Sequence, residues 1–337
     1  MALLDVARRI ADEVLFPAAA SVDRALSVPV LQLELLASAG LYGVAAPASV
    51  GGADLDLPTF GRVVEVLAGG CLATTFVWVQ HHGLIRALAG PDAPASMRAD
   101  WLAPLAAGRC RAGAAYGGLL PGSPKLRATP NRAGGWLLSG QSPWATGWGL
   151  VDVLHVAARG PDDTVVWLLV DAVERPGLTA HRQRVVAADA AVTVRLEFAG
   201  LPVPASRERA VLPYEPPGMA GPPLRTNGSL PLGVAGRCVS FLSGRAADEL
   251  GAELVASRGL LDDAITSPYP EAMPRARAAA SELAVRAAAA LAVHTGSASA
   301  LVGSDAERLT REALFLLVFG TRPQIRMSLL DRLSGLG

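Results

Sequence analysis

Apolar residues recur at helical spacing through residues 3–90. Val6, Ile10, Val14 and Leu15 fall at helical spacing, and so do Leu31, Leu33, Leu36 and Leu41. Asp23 and Ser27-Val28-Pro29 mark a break and a restart, because proline suits a first helical turn. A connector over 40–55 carries Gly51-Gly52, which suits a tight turn, and helices are predicted over 58–68 and 74–88. From residue 110 the period shortens to two. Segments 164–170 and 192–198 are rich in Val and Leu, alternate with polar residues and are bounded by Gly, Pro and Asp. Short strands of a small β-barrel or sandwich are therefore expected. Segment 216–223 reads as a Pro/Gly-rich linker, after which the helical period returns. One long helix is expected to start at 232–237, an Ala-rich helix spans 271–295, and two more cover 305–319 and 324–333. The expected chain is an α+β multidomain protein with a helical domain at 1–109, a β domain at 110–213 and a helical bundle at 224–337.

Composition narrows the class. A chain of 337 residues with 51% hydrophobic and 18% charged residues can bury a sizeable core. Thirty basic against thirty acidic residues give no electrostatic case for nucleic acid or an anionic membrane. No apolar run approaches the ~20 residues of a membrane span; even 278–293 is interrupted by Ser281, Glu282 and Arg286. Residues 1–9 lack the basic and apolar regions of a signal peptide, so a cytoplasmic protein is expected. Cys71, Cys110 and Cys238 form no C-x-x-C pair, which argues against zinc and against a disulfide framework.

The chemistry-bearing stretch is 137–148, Leu-Leu-Ser-Gly-Gln-Ser-Pro-Trp-Ala-Thr-Gly-Trp. On an extended segment Trp144 and Thr146 share a side. An indole face beside a hydroxyl can hold a planar heteroaromatic ring; the same pair also suits a buried Trp with a Thr capping a turn. Upstream lies Tyr116-Gly117-Gly118-Leu119-Leu120-Pro121-Gly122-Ser123-Pro124, and downstream the apolar strand 152–159. This order resembles the acyl-CoA dehydrogenase family, in which a Gly-Ser-Asp turn, a Leu-x-Gly strand, a Trp-x-Thr flavin contact and an apolar strand follow at similar intervals. The Gly40-Leu41-Tyr42-Gly43 and Pro47 to Gly52 connector, Leu201-Pro202-Val203-Pro204, and Gly320-Thr321 with Gln324-Ile325-Arg326 extend the resemblance over nearly the whole chain.

The resemblance implies FAD as cofactor. Trp144 and Thr146 would hold its ring, with Tyr116, Gly117 and Gly118 along one edge, Thr321 as a further contact, and Ser123 near substrate or phosphate. It also implies an acyl substrate, free or linked to CoA or a carrier, and a homodimer or homotetramer. In the family a glutamate removes the α-proton while the flavin takes the β-hydride, because so weak an acid needs a base held against it. Here Phe319 stands at that position, and the family's alternative site, near 223–225, has no carboxylate. A Thr-Glu-Pro flavin contact is replaced by Gly117-Gly118, and Ser257-Arg258-Gly259-Leu260 stands where an Arg-x-x-Phe-Gly segment would be. Candidate bases are His81 or His82, of which at most one can face inward from a helix, and Glu312, which also suits a structural pair with an arginine. Three functions stay open. One is an FAD-dependent oxidoreductase acting on CH–CH groups with a non-standard base. The second is a flavin monooxygenase or oxidase on the same fold. The third is a catalytically degenerate partner subunit or scaffold.

Overall fold

The computed structural model describes residues 3–119, 125–215 and 221–335. Helix α1 (Leu3–Ile10) runs through a π-helical turn into α2 (Phe16–Asp23), and α3 (Val30–Ser38) follows the Pro29 restart. Helices α4 (Leu57–Gly70) and α5 (Leu72–Ala89) are separated only by extended Cys71. The Asp56 carboxylate caps α4 by accepting the Thr59 N–H at 2.8 Å. In the connector, Gly51 has φ +81°, and a Cβ on Gly52 would fall 2.0 Å from the Ala46 carbonyl oxygen, so both glycines are required. A further helix, α6 (Ala95–Ala106), has Pro104 in its interior and was not evident from apolar spacing. Helix α5 is buried on nearly every side, as a helix apolar all round should be.

The middle of the chain forms strands β1 (Ala112–Ala115), β2 (Leu126–Pro130), β3 (Trp136–Ala145), β4 (Val153–Arg159), β5 (Thr164–Asp171), β6 (Leu178–Arg182), β7 (Val194–Val203) and β8 (Glu208–Pro213). They pair in the order β6-β7-β3-β2-β4-β5-β8, and β1 adds to β4 in parallel. The β3–β7 ladder shifts register between Ser142 and Ala145. Pro143 lies inside that gap, and a residue without an N–H belongs at such a bulge.

Five helices complete the chain: α7 (Gly221–Val239), α8 (Gly244–Asp263), α9 (Ala272–Thr295), α10 (Asp305–Val318) and α11 (Pro323–Leu333). The single long helix expected from 232 is instead two, because α7 begins at Gly221 and the chain breaks before Gly244 at φ +65°. Residues 221–223 of the expected linker therefore belong to α7, while 216–220 lie outside the described residues. Ser304 accepts the Glu307 N–H at 3.2 Å, and Glu307 accepts the Gly303 N–H at 3.3 Å, which fixes the start of α10. Helices α4 and α7 cross closely at two glycines, since a Cβ on Gly69 would lie 2.9 Å from the Gly233 carbonyl oxygen. Helical first and last parts thus enclose a middle β-sheet domain, and one apolar core runs through all three.

Candidate functional site

The bulge in β3 sets the first part of the site. It turns Trp144 outward, leaving 52% of the residue exposed, while Thr146 just past the strand is buried with its hydroxyl 3.1 Å from Thr193 Oγ1. Gln183 Nε2 donates to the Pro143 carbonyl at 2.6 Å and holds the bulge from the other side. Segment 116–118 lies directly against this strand. A Cβ on Gly117 would come within 2.9 Å of Pro143 Cδ and 3.4 Å of the Trp144 nitrogen. A Cβ on Gly118 would fall 2.5 Å from Leu126 Cβ. Gly117 and Gly118 thus pack the segment that follows β1 against β3 and β2, next to half-exposed Trp144. Ser123 lies outside the described residues.

Helix α5 joins this edge to the C-terminal helices. A Cβ on Gly147 would lie 3.4 Å from Val77 Cγ1, and the neighbouring Phe76 meets Phe315 and Phe319 edge-on at 5.4 and 4.7 Å between ring centroids. Phe315 and Phe319 stack on each other at 5.9 Å. Three phenyl rings therefore occupy the junction of α5 with the end of α10. The Thr321 hydroxyl is bonded to the Val318 carbonyl of its own helix end. Next to it, Arg322 Nη1 is buried with no hydrogen-bond partner among the described residues.

Arg277 on α9 holds the end of α10. Its guanidinium donates to the carbonyls of Leu316 and Phe319, both at 3.2 Å, and to Ser281 Oγ. Burial alone pushes its pKa down to about 10, so it stays charged and serves the negative end of α10. Arg277→Met should cost about 2 kcal/mol by leaving those carbonyls under-satisfied. Urea unfolding followed by circular dichroism measures it.

The expected proton-transfer residues sit elsewhere. His81 and His82 are both buried, at 1% and 2% exposure, because α5 is enclosed on every side. Neither is at the surface. His81 Nδ1 accepts the Ala112 N–H at 3.0 Å, so its other nitrogen carries the proton and donates to the Leu105 carbonyl at 3.1 Å. Both nitrogens are taken up in joining α5 to α6 and β1, and burial pushes the pKa down to about 3. His82 packs edge-on against Trp78 and Phe60, 4.4 and 4.9 Å between centroids, with neither nitrogen bonded. Its pKa is driven well below the usual range by burial, then by the His81 and Arg86 charges. Glu312 is bonded at 2.8 Å to Arg308, and both are buried. Burial raises the Glu312 pKa against the pull of Arg308, and its charge acts on Cys71 and Cys238. That side of α10 turns toward α2: the Arg308 guanidinium lies 5.5 Å from the Phe16 ring. Glu307 is paired with Arg311, which reaches Asp23 at 2.6 Å.

His155, Trp167 and Arg209 gather around Tyr116 and were not singled out in the sequence. The signal was present only as one histidine within the otherwise apolar run of β4. Two cavities, of about 380 and 300 Å³, lie instead beside Trp101 and Arg207 and beside Leu260 and Arg275. Among the described residues no group of three or more His, Cys, Asp or Glu side chains could hold a metal ion. No helix among them is long and apolar enough to cross a membrane.

The acyl-CoA dehydrogenase N-terminal domain model matches residues 1–109. Benzylmalonyl-CoA dehydrogenase of Aromatoleum aromaticum is 26% identical over 192 residues, which is 54% of this chain and 49% of that protein. The matched region thus spans about half the length of this curated relative. Butyryl-CoA dehydrogenase from Megasphaera elsdenii superposes with a TM-score of 0.82 at 18% identity, covering 98% of this chain and 97% of that one. Dibenzothiophene monooxygenase from Paenibacillus sp. superposes with a TM-score of 0.78 at 17% identity, covering 99% and 97%. At such identities the two structures speak to the fold alone. Residues 1–109 thus match the N-terminal domain of acyl-CoA dehydrogenases, and the chain as a whole is similar to them in its helix–sheet–helix fold.

Proposed function

We propose that this chain is an FAD-binding oxidoreductase acting on an acyl or related small-molecule substrate, free or linked to CoA or a carrier. The half-exposed Trp144 indole carries the reading. An indole left half-exposed at a strand end forgoes roughly 2 kcal/mol of apolar burial, which a stacked planar ring would recover. The surrounding residues fit FAD. Gly117 and Gly118 let the backbone of 116–118 lie directly against β3 and β2 beside Trp144, and Arg322 offers a cation with an unpaired, buried nitrogen next to Thr321, suited to an anionic group. Bound there, FAD would supply two-electron redox chemistry.

The chain's own residues limit what that chemistry can be. The family's base is replaced by Phe319, held in place by Arg277 and packed on Phe76. His81 has no free nitrogen, and Glu312 is paired with Arg308 on the side of α10 turned toward α2. Abstraction of an α-proton by a protein carboxylate is therefore not the reaction we assign. The rings of Phe315 and Phe319, stacked on each other and met edge-on by Phe76, instead give the junction of α5 and α10 an apolar lining. A second reading, an oxygen-using monooxygenase or oxidase, is favoured by that same loss of the base, since it requires no carboxylate at position 319. We also propose that copies of this chain associate through C-terminal helices, where Leu314 and Val318 on α10 and Met327, Leu330 and Leu333 on α11 are exposed.

Trp144→Ala tests the assignment. FAD affinity, followed by quenching of flavin fluorescence, should fall at least about tenfold, since one stacked aromatic face contributes about 1.4 kcal/mol. Equal affinity in the variant and the unmodified chain would remove the ring site from β3.

A further inference from the structure

Tyr116 stands at the edge of the ring site, yet its hydroxyl is turned into the protein. Some 36% of the residue is exposed, while its hydroxyl end is enclosed and the phenol's pKa is raised by burial. The hydroxyl lies 2.8 Å from His155 Nδ1 on β4. The indole of Trp167 on β5 meets the Tyr116 ring edge-on at 5.2 Å and the His155 ring at 4.9 Å. The guanidinium of Arg209 on β8 lies over the Trp167 ring, 5.2 Å from its centroid. On the α5 side there is Gly83, where a Cβ would lie 3.2 Å from the Tyr116 hydroxyl.

His155 is 2% exposed, and its Nε2 has no hydrogen-bond partner. An N–H at that atom would be a buried donor with nothing to accept it, in a site that also feels the Arg209 charge. A bare lone pair facing a cation costs less. The proton therefore resides on Nδ1, and His155 donates to the Tyr116 oxygen. That assignment leaves the phenol's own hydrogen available to an acceptor other than His155.

We propose that His155 is a positioning residue for the ring site: its Nδ1–H holds the Tyr116 phenol so that the exposed part of that ring stands as a second aromatic wall beside Trp144. This rests on the FAD reading above. Trp167 fixes the tilt of both rings, and Arg209 fixes Trp167. The arrangement joins β4, β5 and β8 to the segment after β1, so it sets the wall from residues that are far apart in sequence.

Three variants and one spectroscopic signature test it. His155→Leu removes the donor and keeps the volume, His155→Asn keeps a donor close to the Nδ1 position, and Tyr116→Phe removes the acceptor without touching β4. FAD affinity by fluorescence quenching should fall about tenfold in His155→Leu and in Tyr116→Phe, and no further in the double variant. His155→Asn should stay within about threefold of the unmodified chain. In the cofactor-free protein, nitrogen-15 NMR should show His155 as the Nδ1–H tautomer throughout pH 5–8, a readout that a merely space-filling role would not fix. If His155→Leu does not fold, Tyr116→Phe and His155→Asn carry the comparison. FAD bound equally well by the unmodified chain and Tyr116→Phe, or an Nε2–H tautomer, overturns this inference alone. An unmodified chain that does not bind FAD overturns the FAD reading and the inference together.

Discussion

Between pH 7 and pH 5 the folded chain is expected to lose about 6 kcal/mol of stability through three histidines. His81, His82 and His155 are buried and neutral, and burial holds their folded pKa values far below the unfolded value near 6.5: about 3 for His81 and His155, and well below normal for His82. A depressed folded pKa means that the unfolded chain binds the proton first. Stability is therefore fully present above about pH 6.5 and is lost as pH falls from there toward about 3. Each histidine contributes about 2 kcal/mol over the two pH units named. Glu65 and Glu312, whose carboxyls are raised by burial, act in the opposite sense and soften the net fall. Urea titrations at pH 7, 6 and 5 should show the midpoint dropping at each step. A midpoint that stays level from pH 7 to pH 5 would mean that these imidazoles are solvated, contrary to their packing.

Glu312→Ala is expected to destabilise the chain by about 3–5 kcal/mol. The substitution leaves the Arg308 charge in the interior with only half-exposed Asp305 to answer it. The paired variant Arg308→Met with Glu312→Leu should recover most of that loss, because it removes both charges and fills the same space. A single variant as stable as the unmodified chain would point to a solvated carboxylate. FAD affinity should change little in the paired variant, since both charges are buried beside Phe16 of α2, about two turns of α10 or more before Phe319.

Much of the helical framework was legible from apolar spacing alone. Helices α4, α5, α9 and α10 lie close to where the period of their Leu, Val and Ala residues placed them. Two features were not. The break between α7 and α8 depends on a left-handed Gly244 within a segment whose composition does not change, and α6 carries Pro104 in place of a clean apolar stripe. Within the site, the Trp144 and Thr146 spacing was readable, but the bulge that exposes one and buries the other arises from the pairing of β3 with β7. The same limit hid His155, Trp167 and Arg209, which only the sheet order brings to Tyr116. At most one of the two adjacent histidines was expected to face inward, and both are buried because α5 is enclosed on nearly every side. At Phe319 the resemblance implied a phenyl ring in place of the family's base, and the structure shows Phe76 and Phe315 packed around that ring.

The visible absorption spectrum of the purified protein, taken after adding FAD and passing it through gel filtration, tests the ring site most directly. Flavin bands that travel with the protein peak, and diminish in Trp144→Ala, are the expected result. A colourless protein peak with all the FAD in the small-molecule fraction would contradict it, and would leave a family scaffold that has kept the shape of the site without the cofactor.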